Sequence, residues 1–473
     1  MLEHEADILV IGAGPAGLAA ASAAAGRGLS VLVVDGFARA GGQYFMQPPS
    51  SSAAAAGVQA RSGAAAIQAV EAAGVRLLSG VEIWGVFPDF RVYGQHEREP
   101  VSLAARALIV ASGAHDRLVA FPGWALPGVM PRGAAQRLAK LSAVAPGKRC
   151  LLAGSGPFLL PVAGAVLGAG GGIAALVEAA PSIAAPLRHL LAHPERWVEV
   201  ARLLAPLLRH RPPRWRGWMV VEAMGETRVE AARLARLDAH GRPDLQDTRL
   251  VENIDALLVG YGFRPQIEIT ALLRCRHGFD ELRGGWYCEA DPASGATSVA
   301  GVYAAGEVTG VAGALPARLG GELTGLACVD YLGGPPAPAR RQRLLARLAR
   351  ARRFADGLNR LYPPPAGLHA AIRDDTVVCR CEGVSAGSLR ASLRAGARES
   401  FGAKLWTRAG MGPCQGRICG WSVARLIAAE TGAGMAELGF NQPRIPLRPV
   451  PLATVAACLP GATPLDTGES ATP

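Results

Sequence analysis

Four of the nine cysteines have a spacing that suits a metal or metal–sulfur centre. Cys379 and Cys381 form a C-x-C pair, and Cys414 and Cys419 form a C-x4-C pair further along the chain. Two close pairs one helix-turn-helix apart can bring four thiolates together, and four sulfur ligands suit zinc or an iron–sulfur cluster. Iron–sulfur is the favoured interpretation, while zinc and plain buried thiols remain alternatives. The other cysteines are single, and none forms the C-x-x-C of a redox dithiol: Cys150, Cys275, Cys288, Cys328 and Cys458.

The sequence around these pairs also favours a cluster. A helix is predicted over residues 386–396, and a glycine-rich loop over 409–413 exposes backbone N–H groups that can bond to sulfur. Such bonds, together with the nearby Arg380, Arg408 or Arg417, would raise the reduction potential of a cluster by stabilising added negative charge.

A dinucleotide-binding fingerprint lies near the start of the chain. Its G-x-G-x-x-G run follows the apolar strand over residues 8–11 and opens an alanine-rich helix, so the pyrophosphate would meet the helix N-terminus. An acid that ends the next strand can accept hydrogen bonds from ribose hydroxyls. We predict cofactor contacts at Gly12, Gly14, Pro15, Ala16, Gly17 and Asp35. A structural βαβ unit with an empty nucleotide site is the alternative.

A second, degenerate unit spans residues 149–178. It keeps Gly154 and Gly156, but Leu159 occupies the third glycine position and Pro161 falls within the first turns of the helix. A leucine there separates helix from strand and narrows the access of phosphate. Glu178 still has the position of a ribose acceptor. An NAD(P) site and a scaffold that binds no nucleotide are both left open.

The order of elements predicts an α/β fold. Continuous apolar strands alternate with helices, which indicates parallel sheet buried on both faces. Further strands are predicted over residues 107–111, 256–259 and 301–304. We expect two nested Rossmann-like dinucleotide-binding domains and a small C-terminal helical iron–sulfur-binding domain. The predicted segments are the first part of one dinucleotide-binding domain (1–115), an NAD(P)-binding-like domain with a helical insertion at 182–218 (116–250), a return to the first domain (251–332), a linker with a basic helix (333–372), the cysteine domain (373–440) and an extended tail (441–473), disordered after Leu459.

Composition and charge limit the classes of partner. The formal net charge is +11, and nearly all of it is arginine, because Lys140, Lys148 and Lys404 are the lysines of the chain. Aromatic residues make up 5% and do not interleave with the basic ones, so nucleic-acid binding is not predicted. The acidic start differs from a signal peptide, and the uncharged run over 151–177 is broken by Gly and Pro. We expect a cytoplasmic protein without a transmembrane segment.

Several motifs together resemble a known group of flavoproteins. The runs at 12–17, 41–43 and 111–114 are similar to the first half of flavoproteins with two dinucleotide-binding domains, and 301–307 resembles their second flavin motif. The runs at 121–130, 379–382 and 410–419 are similar to alpha subunits of opine oxidases, hydrogen cyanide synthase and D-hydroxyproline dehydrogenases, with a C-terminal 2Fe–2S domain of the bacterioferritin-associated-ferredoxin type. The resemblance implies FAD contacts at Gly42, Gln43, Gly113, Gly306 and Glu307, in addition to those of the first fingerprint.

Three hypotheses of function follow. In the first, the chain is an FAD-dependent oxidoreductase subunit that passes electrons between flavin and a 2Fe–2S cluster. By resemblance, a flavoprotein beta subunit would oxidise an amine or imino acid at CH–NH or CH–NH2, and a small ferredoxin-like subunit is a possible partner. The second is a self-sufficient NAD(P)H:acceptor oxidoreductase, and the third a non-enzymatic zinc-binding assembly subunit.

No catalytic base is assigned from the sequence. His115 is predicted to be a structural histidine, with an approach to flavin as the alternative. By resemblance, Arg318 and Glu322 lie on the helix that points at the pyrimidine end of flavin.

Overall fold

The computed structural model describes residues 1–48 and 57–458. The predicted disorder after Leu459 therefore lies outside the described residues. The strands are β1 (Leu2–Ile11), β2 (Val31–Asp35), β3 (Arg76–Ser79), β4 (Val81–Val86), β5 (Arg91–His96), β6 (Glu99–Val110), β7 (Ala114–Asp116), β8 (Val129–Pro131), β9 (Cys150–Gly154), β10 (Ile173–Glu178), β11 (Arg214–Arg216), β12 (Trp218–Met224), β13 (Ala231–Leu237), β14 (Pro243–Glu252), β15 (Ala256–Gly260), β16 (Phe263–Pro265), β17 (His277–Asp280), β18 (Gly285–Cys288), β19 (Val302–Ala304), β20 (Val377–Cys379) and β21 (Val384–Ser385).

The α-helices are α1 (Pro15–Ala24), α2 (Gly42–Phe45), α3 (Val58–Ala72), α4 (Arg132–Leu141), α5 (Leu159–Gly168), α6 (Ala184–Leu191), α7 (Trp197–His210), α8 (Glu268–Leu272), α9 (Ala314–Tyr331), α10 (Pro338–Leu361), α11 (Ala386–Arg394), α12 (Ser400–Thr407), α13 (Gly420–Thr431), α14 (Met435–Leu438) and α15 (Leu452–Ala457). Among the described residues, no helix is both long enough and apolar enough to cross a bilayer.

The first sheet carries the first fingerprint. Its strands follow the order β3-β2-β1-β6-β5-β4, and β19 pairs with β6. β1, β2, β3, β6 and β19 form the parallel part, whereas β4, β5 and the first half of β6 are antiparallel. β2 is buried throughout, as expected for an apolar strand covered on both faces. The mixed α/β, Rossmann-like prediction is confirmed.

Helices α1 and α9 pack unusually closely on this sheet. A Cβ atom at Gly321 would lie 2.1 Å from the backbone oxygen of Ala16, and one at Gly325 would lie 2.2 Å from that of Ala20. Only glycine allows this approach, because any larger side chain would force the two helices apart. The contact fixes the start of α1, which belongs to the fingerprint.

The second sheet corrects two sequence predictions. Its order is β11-β10-β9-β15-β8, and all neighbouring strands are parallel. The sequence predicts a helical segment over 182–218, but 214–216 forms strand β11 beside β10. It also predicts a return to the first domain at 251, yet β15 lies between β9 and β8. β15 therefore belongs to the second sheet rather than to the first.

The basic helix of the linker is α10, close to its predicted bounds. Its apolar stripe buries Leu344, Leu348, Ala351 and Ala355, and the first two pack beside Leu323 and Leu326 of α9. Two arginines on its first turns pair with acids of α9, because Arg340 lies 2.6 Å from Glu322 and Arg341 lies 2.5 Å from Asp330. The helix therefore lies against the first unit on one face, as its periodicity predicts.

The cysteine segment is a small helical unit that packs on the body of the protein. The β20–β21 hairpin precedes α11, which agrees with the predicted helix over 386–396, and α12, α13 and α14 follow. Trp421 of α13 is buried, and the guanidinium of Arg117 lies 4.1 Å from its ring centroid. The Ser422 hydroxyl accepts a hydrogen bond from the Ala120 N–H at 3.0 Å. These contacts join the unit to the segment after β7.

Candidate cofactor and cluster sites

The first fingerprint forms a tight turn with one open position. Gly12 has φ +108°, and a Cβ there would lie 2.4 Å from the Ala111 oxygen. A Cβ at Gly17 would lie 1.7 Å from the Gly12 oxygen, so this glycine sets the distance between helix and strand. At Gly14 the nearest atom would be the Cα of Gly42, 4.0 Å away. The turn is therefore closed on the protein side and open where a phosphate would approach.

The start of α1 offers free backbone donors toward the same opening. Gly14 is its N-cap and provides no side-chain hydrogen bond, while Pro15 occupies the first helical position. The first N–H groups of a helix have no intrahelical partners, and the helix dipole favours an anion there. This arrangement fits the pyrophosphate of a dinucleotide.

Asp35 ends β2 next to this turn. Its carboxylate accepts hydrogen bonds from the N–H groups of Ala13 at 2.6 Å and Phe37 at 2.7 Å. Burial raises the pKa of the carboxyl group, although both hydrogen bonds oppose the shift. Each carboxylate oxygen keeps a further lone pair, so Asp35 can both brace the turn and accept a ribose hydroxyl.

Glu307 approaches from the other side of α1. A Cβ at Gly306 would lie 2.7 Å from that of Ala16, which seats this loop on the start of α1. One carboxylate oxygen of Glu307 accepts hydrogen bonds from the N–H groups of Gly313 at 2.6 Å and Ala312 at 3.3 Å. Burial raises the pKa of this group. Glu307 therefore holds the loop before α9 and has a second oxygen for a ligand.

One cavity of about 1900 Å³ connects the predicted positions. Common ligand pockets hold roughly 300–1,000 Å³, so this cavity has space for a molecule of dinucleotide size and more. The lining includes these predicted residues: Gly12, Gly14, Pro15, Ala16, Asp35, Gly42, Gln43, Gly113, Glu307, Gly156 and Glu178. Gly17, Gly154 and Gly306 support the walls instead, because each is in close contact with a neighbouring segment. We name the turn at residues 12–17, together with Asp35 and Glu307, the first cradle. Its size and donors fit FAD.

The glycine loop at residues 154–156 forms the second cradle. The linker segment after α10 passes beside this loop. The Ser155 hydroxyl lies 3.4 Å from the backbone oxygens of Tyr362 and Pro363, just after α10. A Cβ at Gly156 would lie 3.6 Å from the Cβ of Tyr362, and one at Gly154 would lie 2.0 Å from the Gly260 oxygen. The linker therefore occupies part of the space beside the second phosphate loop. The sequence does not predict this role of Tyr362, because nothing in the local pattern indicates the tertiary contact.

Glu178 is turned toward the loop of the second cradle. Its carboxylate accepts hydrogen bonds from the N–H groups of Gly156 at 3.1 Å and Ala180 at 3.0 Å. Burial raises the pKa of Glu178 to about 6. The buried Leu159 begins α5 where a third glycine would stand. Glu178 therefore braces the second phosphate loop, as Asp35 braces the first.

The four predicted cysteines lie together as a chain of contacts. Hydrogen-bond contacts join the Sγ of Cys379 to Cys419, Cys419 to Cys414, and Cys414 to Cys381. Across residues 1–48 and 57–458, no three His, Cys, Asp or Glu side chains converge on one metal-ion position. Four cysteine side chains in contact are the ligand set of zinc and of iron–sulfur clusters alike.

Backbone N–H groups point at these sulfurs. Those of Gly410 and Glu382 bond to Cys379, and those of Gly416 and Ile418 bond to Cys414. Contact with the Cys419 thiol is the largest cause that lowers the pKa of Cys379 to about 6 and of Cys414 to about 5, and the N–H donors add to it. The same contacts raise the pKa of Cys419. Thiolate is the ligand form of cysteine, so the site fits a metal–sulfur group.

The glycine-rich loop has little spare room. A Cβ at Gly412 would lie 2.4 Å from the Cβ of Cys381, and one at Gly410 or Gly416 would lie 2.0 or 2.3 Å from Nδ2 of Asn441. Asn441 therefore braces the loop that presents the N–H groups. Its role is not visible in the sequence, because it depends on a contact with a segment beyond α14.

Other sequence candidates have different roles. His115 is partly buried, and its loss of solvation is the largest cause that lowers its pKa to about 4, while its ring nitrogen lies within hydrogen-bond distance of the cysteine segment. Arg318 is exposed on α9, and Glu322 pairs with Arg340 of α10. Arg417, which the sequence places near the cysteines, also lines the cofactor cavity.

Comparison with known proteins defines the class. Residues 6–324 match the pyridine nucleotide-disulphide oxidoreductase family, and residues 374–458 match the sarcosine oxidase A3 domain. The chain belongs to the first family and is an FAD-dependent oxidoreductase related to subunits of opine and sarcosine oxidases.

Two relatives match over nearly their whole length. Hydrogen cyanide synthase subunit HcnB of Pseudomonas aeruginosa is 34% identical over 94% of this chain and 97% of its own. An opine oxidase subunit of Rhizobium meliloti is 34% identical over 95% of this chain and 98% of its own. The crystal structure of L-proline dehydrogenase from P. horikoshii covers 96% of this chain and 80% of its own, with a TM-score of 0.70 and 19% identity, and shares the fold.

Proposed function

We propose that this chain is the electron-transfer subunit of a heteromeric dehydrogenase that oxidises a carbon–nitrogen bond of an amine, imino acid or opine. FAD would lie in the first cradle and a 2Fe–2S cluster at Cys379, Cys381, Cys414 and Cys419. The observation that carries this proposal is the mutual contact of the four cysteines in a segment joined to the wall of the cofactor cavity. The matched relatives are themselves named as subunits, which supports a heteromeric assembly.

The residues of the first cradle would hold the flavin. The N–H groups at the start of α1 would bind the pyrophosphate, Asp35 the adenosine ribose, and Glu307 the ribityl chain. Gly42 and Gln43 lie in the first turn of α2 beside Gly14, where Gln43 Nε2 donates to the Ala114 oxygen at 3.2 Å. Bound FAD exchanges electrons in pairs or singly, and this is the chemistry that the subunit would use.

The cysteine segment would hold the one-electron centre. Its backbone N–H groups stabilise negative charge on sulfur, and the partly buried Arg264 adds a positive charge near Cys414 and Cys419. Both factors favour the reduced form of a metal–sulfur group. A 2Fe–2S cluster there supplies one-electron transfer.

The partner subunit would carry the substrate. Oxidation of a C–N bond releases two electrons and protons, and we place this chemistry in a beta flavoprotein subunit, as the resemblance to opine oxidase implies. The NAD(P)H:acceptor alternative is disfavoured by the linker residues beside Ser155 and Gly156. The zinc alternative uses the same four cysteines and is distinguished from the cluster by analysis of metal and acid-labile sulfide.

Anaerobic purification followed by spectroscopy tests the proposal. We expect flavin absorption and an iron–sulfur spectrum in one preparation, and a paramagnetic signal on partial reduction with dithionite. Added NADH and NADPH should leave the flavin oxidised. A colourless protein after cluster reconstitution and FAD addition would contradict the proposal, and a zinc-loaded protein free of acid-labile sulfide would favour the assembly-subunit hypothesis.

A further inference from the structure

Helix α12 exposes three large apolar side chains to solvent. Phe401 is 52% exposed, Leu405 60% and Trp406 64%, all within eight residues of one another along the same short helix. Only Ser400 and Ala403 of this helix are buried. Single exposed apolar residues are ordinary, but an adjacent group of this size marks an interaction surface. We name Phe401, Leu405 and Trp406 the α12 surface.

This surface adjoins the most accessible of the four cysteines. Arg408 follows α12, and its Nε lies 2.8 Å from the Glu382 carboxylate, which directly follows Cys381. Cys381 is exposed, Cys414 is partly buried, and Cys379 and Cys419 are buried. A group held by these sulfurs would therefore come nearest to solvent beside the last turn of α12.

The border of the α12 surface is basic. Exposed cations flank it at Arg398 and Arg444, and the half-buried Lys404 lies between Phe401 and Leu405. Lys404 and Arg444 are close enough for each to repel the charge of the other. Glu399 is the exposed acid at the start of α12, while Glu382 is neutralised by Arg408. The charge pattern is complementary to an acidic protein surface.

We infer that the α12 surface is the docking site of an acidic one-electron carrier protein. An apolar centre with aromatic anchors and a charged border is the usual anatomy of a protein interface, and electron-transfer encounters need only a small one. One electron would leave the centre held by the cysteines and reduce the redox centre of the carrier, with no bond formed or broken. This inference rests on the proposed function.

Binding measurements on the full chain test the inference independently of turnover. The probe is an acidic 2Fe–2S ferredoxin, with a basic c-type cytochrome of similar size as the opposite-charge probe. The variants are Trp406→Ser and Arg398→Glu. The matched controls are Trp197→Ser, an exposed tryptophan on α7, and Arg353→Glu, an exposed arginine on α10.

We expect the ferredoxin to bind the native chain, more weakly as salt rises, and the cytochrome not to compete. Trp406→Ser and Arg398→Glu should each weaken binding at least about fivefold to tenfold, with both controls within about twofold. Failure of the ferredoxin to bind, or equal binding by all variants, would overturn the inference. A loss of self-association or of a co-purified flavoprotein subunit in Trp406→Ser would instead assign the surface to that partner and also overturn it.

Metal analysis of the same preparations separates this inference from the proposed function. Binding of the carrier does not require the cluster, so an iron-free chain that binds ferredoxin through Trp406 would retain the surface and refute the electron-transfer role. A chain that contains iron and sulfide but does not bind ferredoxin would support the electron-transfer role and refute the docking surface.

Discussion

The Nε2 atom of His115 lies 3.3 Å from the backbone oxygen of Arg417. His115 follows Ala114 in the wall of the cofactor cavity, and Arg417 precedes Cys419 by two residues. The guanidinium of Arg264 donates to the same oxygen at 3.1 Å. This carbonyl is therefore the point at which the Rossmann body and the cysteine segment meet beside the cavity.

The burial of His115 predicts a pH-dependent stability. Its pKa is lowered to about 4 in the folded protein, against about 6.5 in an unfolded chain. As pH falls below about 6.5, the unfolded chain takes up a proton that the folded one does not, so stability present above that pH is lost toward pH 4. Because of His115, the free energy of unfolding should fall by about 2 kcal/mol when the pH is lowered from 7 to 5. Urea titrations at both pH values measure the loss.

The matched variants separate His115 from other titrating groups. His115→Gln should lose about 2 kcal/mol less than the native chain over the same pH interval, while His240→Gln, at an exposed position, should behave as the native chain does. An identical pH 5 loss in His115→Gln would show that His115 is protonated or accessible in the folded state.

The open side of the first cradle predicts a selective effect at Gly14. Gly14→Ala introduces a methyl group with no protein atom closer than 4.0 Å, so the fold should remain intact. The methyl group would project where the pyrophosphate approaches, and the affinity for FAD should fall at least about tenfold. Flavin content and a fluorescence titration of the apoprotein with FAD measure the change.

Gly320→Ala is the control for this substitution. Gly320 lies within α9, and a Cβ there also meets no atom within 4 Å. Its FAD affinity should match that of the native chain. Equal flavin binding by Gly14→Ala would place the cofactor elsewhere.

The contacts between the linker and the second cradle predict whether nicotinamide nucleotides can reduce the flavin. Tyr362 lies against Gly156, and the Ser155 hydroxyl bonds to the backbone of the linker, so NADH and NADPH should not reduce the flavin in stopped-flow experiments. Tyr362→Gly removes the side chain nearest the loop and should give weak but measurable nucleotide binding. Rapid bleaching of the native protein by either nucleotide would contradict this account.

Periodicity predicts most of the elements that position the cofactor. Apolar runs and glycine turns locate β1, α1, β2, β9, α5 and β10, because each strand is buried on both faces and each turn needs glycine. The short β11 reads Arg-Trp-Arg, which has no strand pattern, and it forms only because β10 offers a free edge. Sheet membership of β15 likewise depends on its neighbours rather than on its own sequence.

At the cysteine site, too, the sequence predicts one part of the arrangement and tertiary contacts determine the rest. Spacing identifies all four ligand candidates and predicts that the two pairs come together. In the structure Cys379 contacts Cys419 and Cys381 contacts Cys414, while Cys414 and Cys419 also contact each other. Asn441, Tyr362 and the His115–Arg417 contact come from distant segments, and a single sequence carries no signal for them.

Iron and acid-labile sulfide per chain is the measurement that tests the central claim most directly. The native chain, purified without oxygen, should hold about two irons and two sulfides. Cys381→Ser and Cys414→Ser should each lose most of both, whereas Cys458→Ser, which lies outside these cysteine contacts, should keep them. An iron-free native chain after reconstitution, or unchanged iron and sulfide in Cys414→Ser, would contradict the assignment of a 2Fe–2S cluster to these residues.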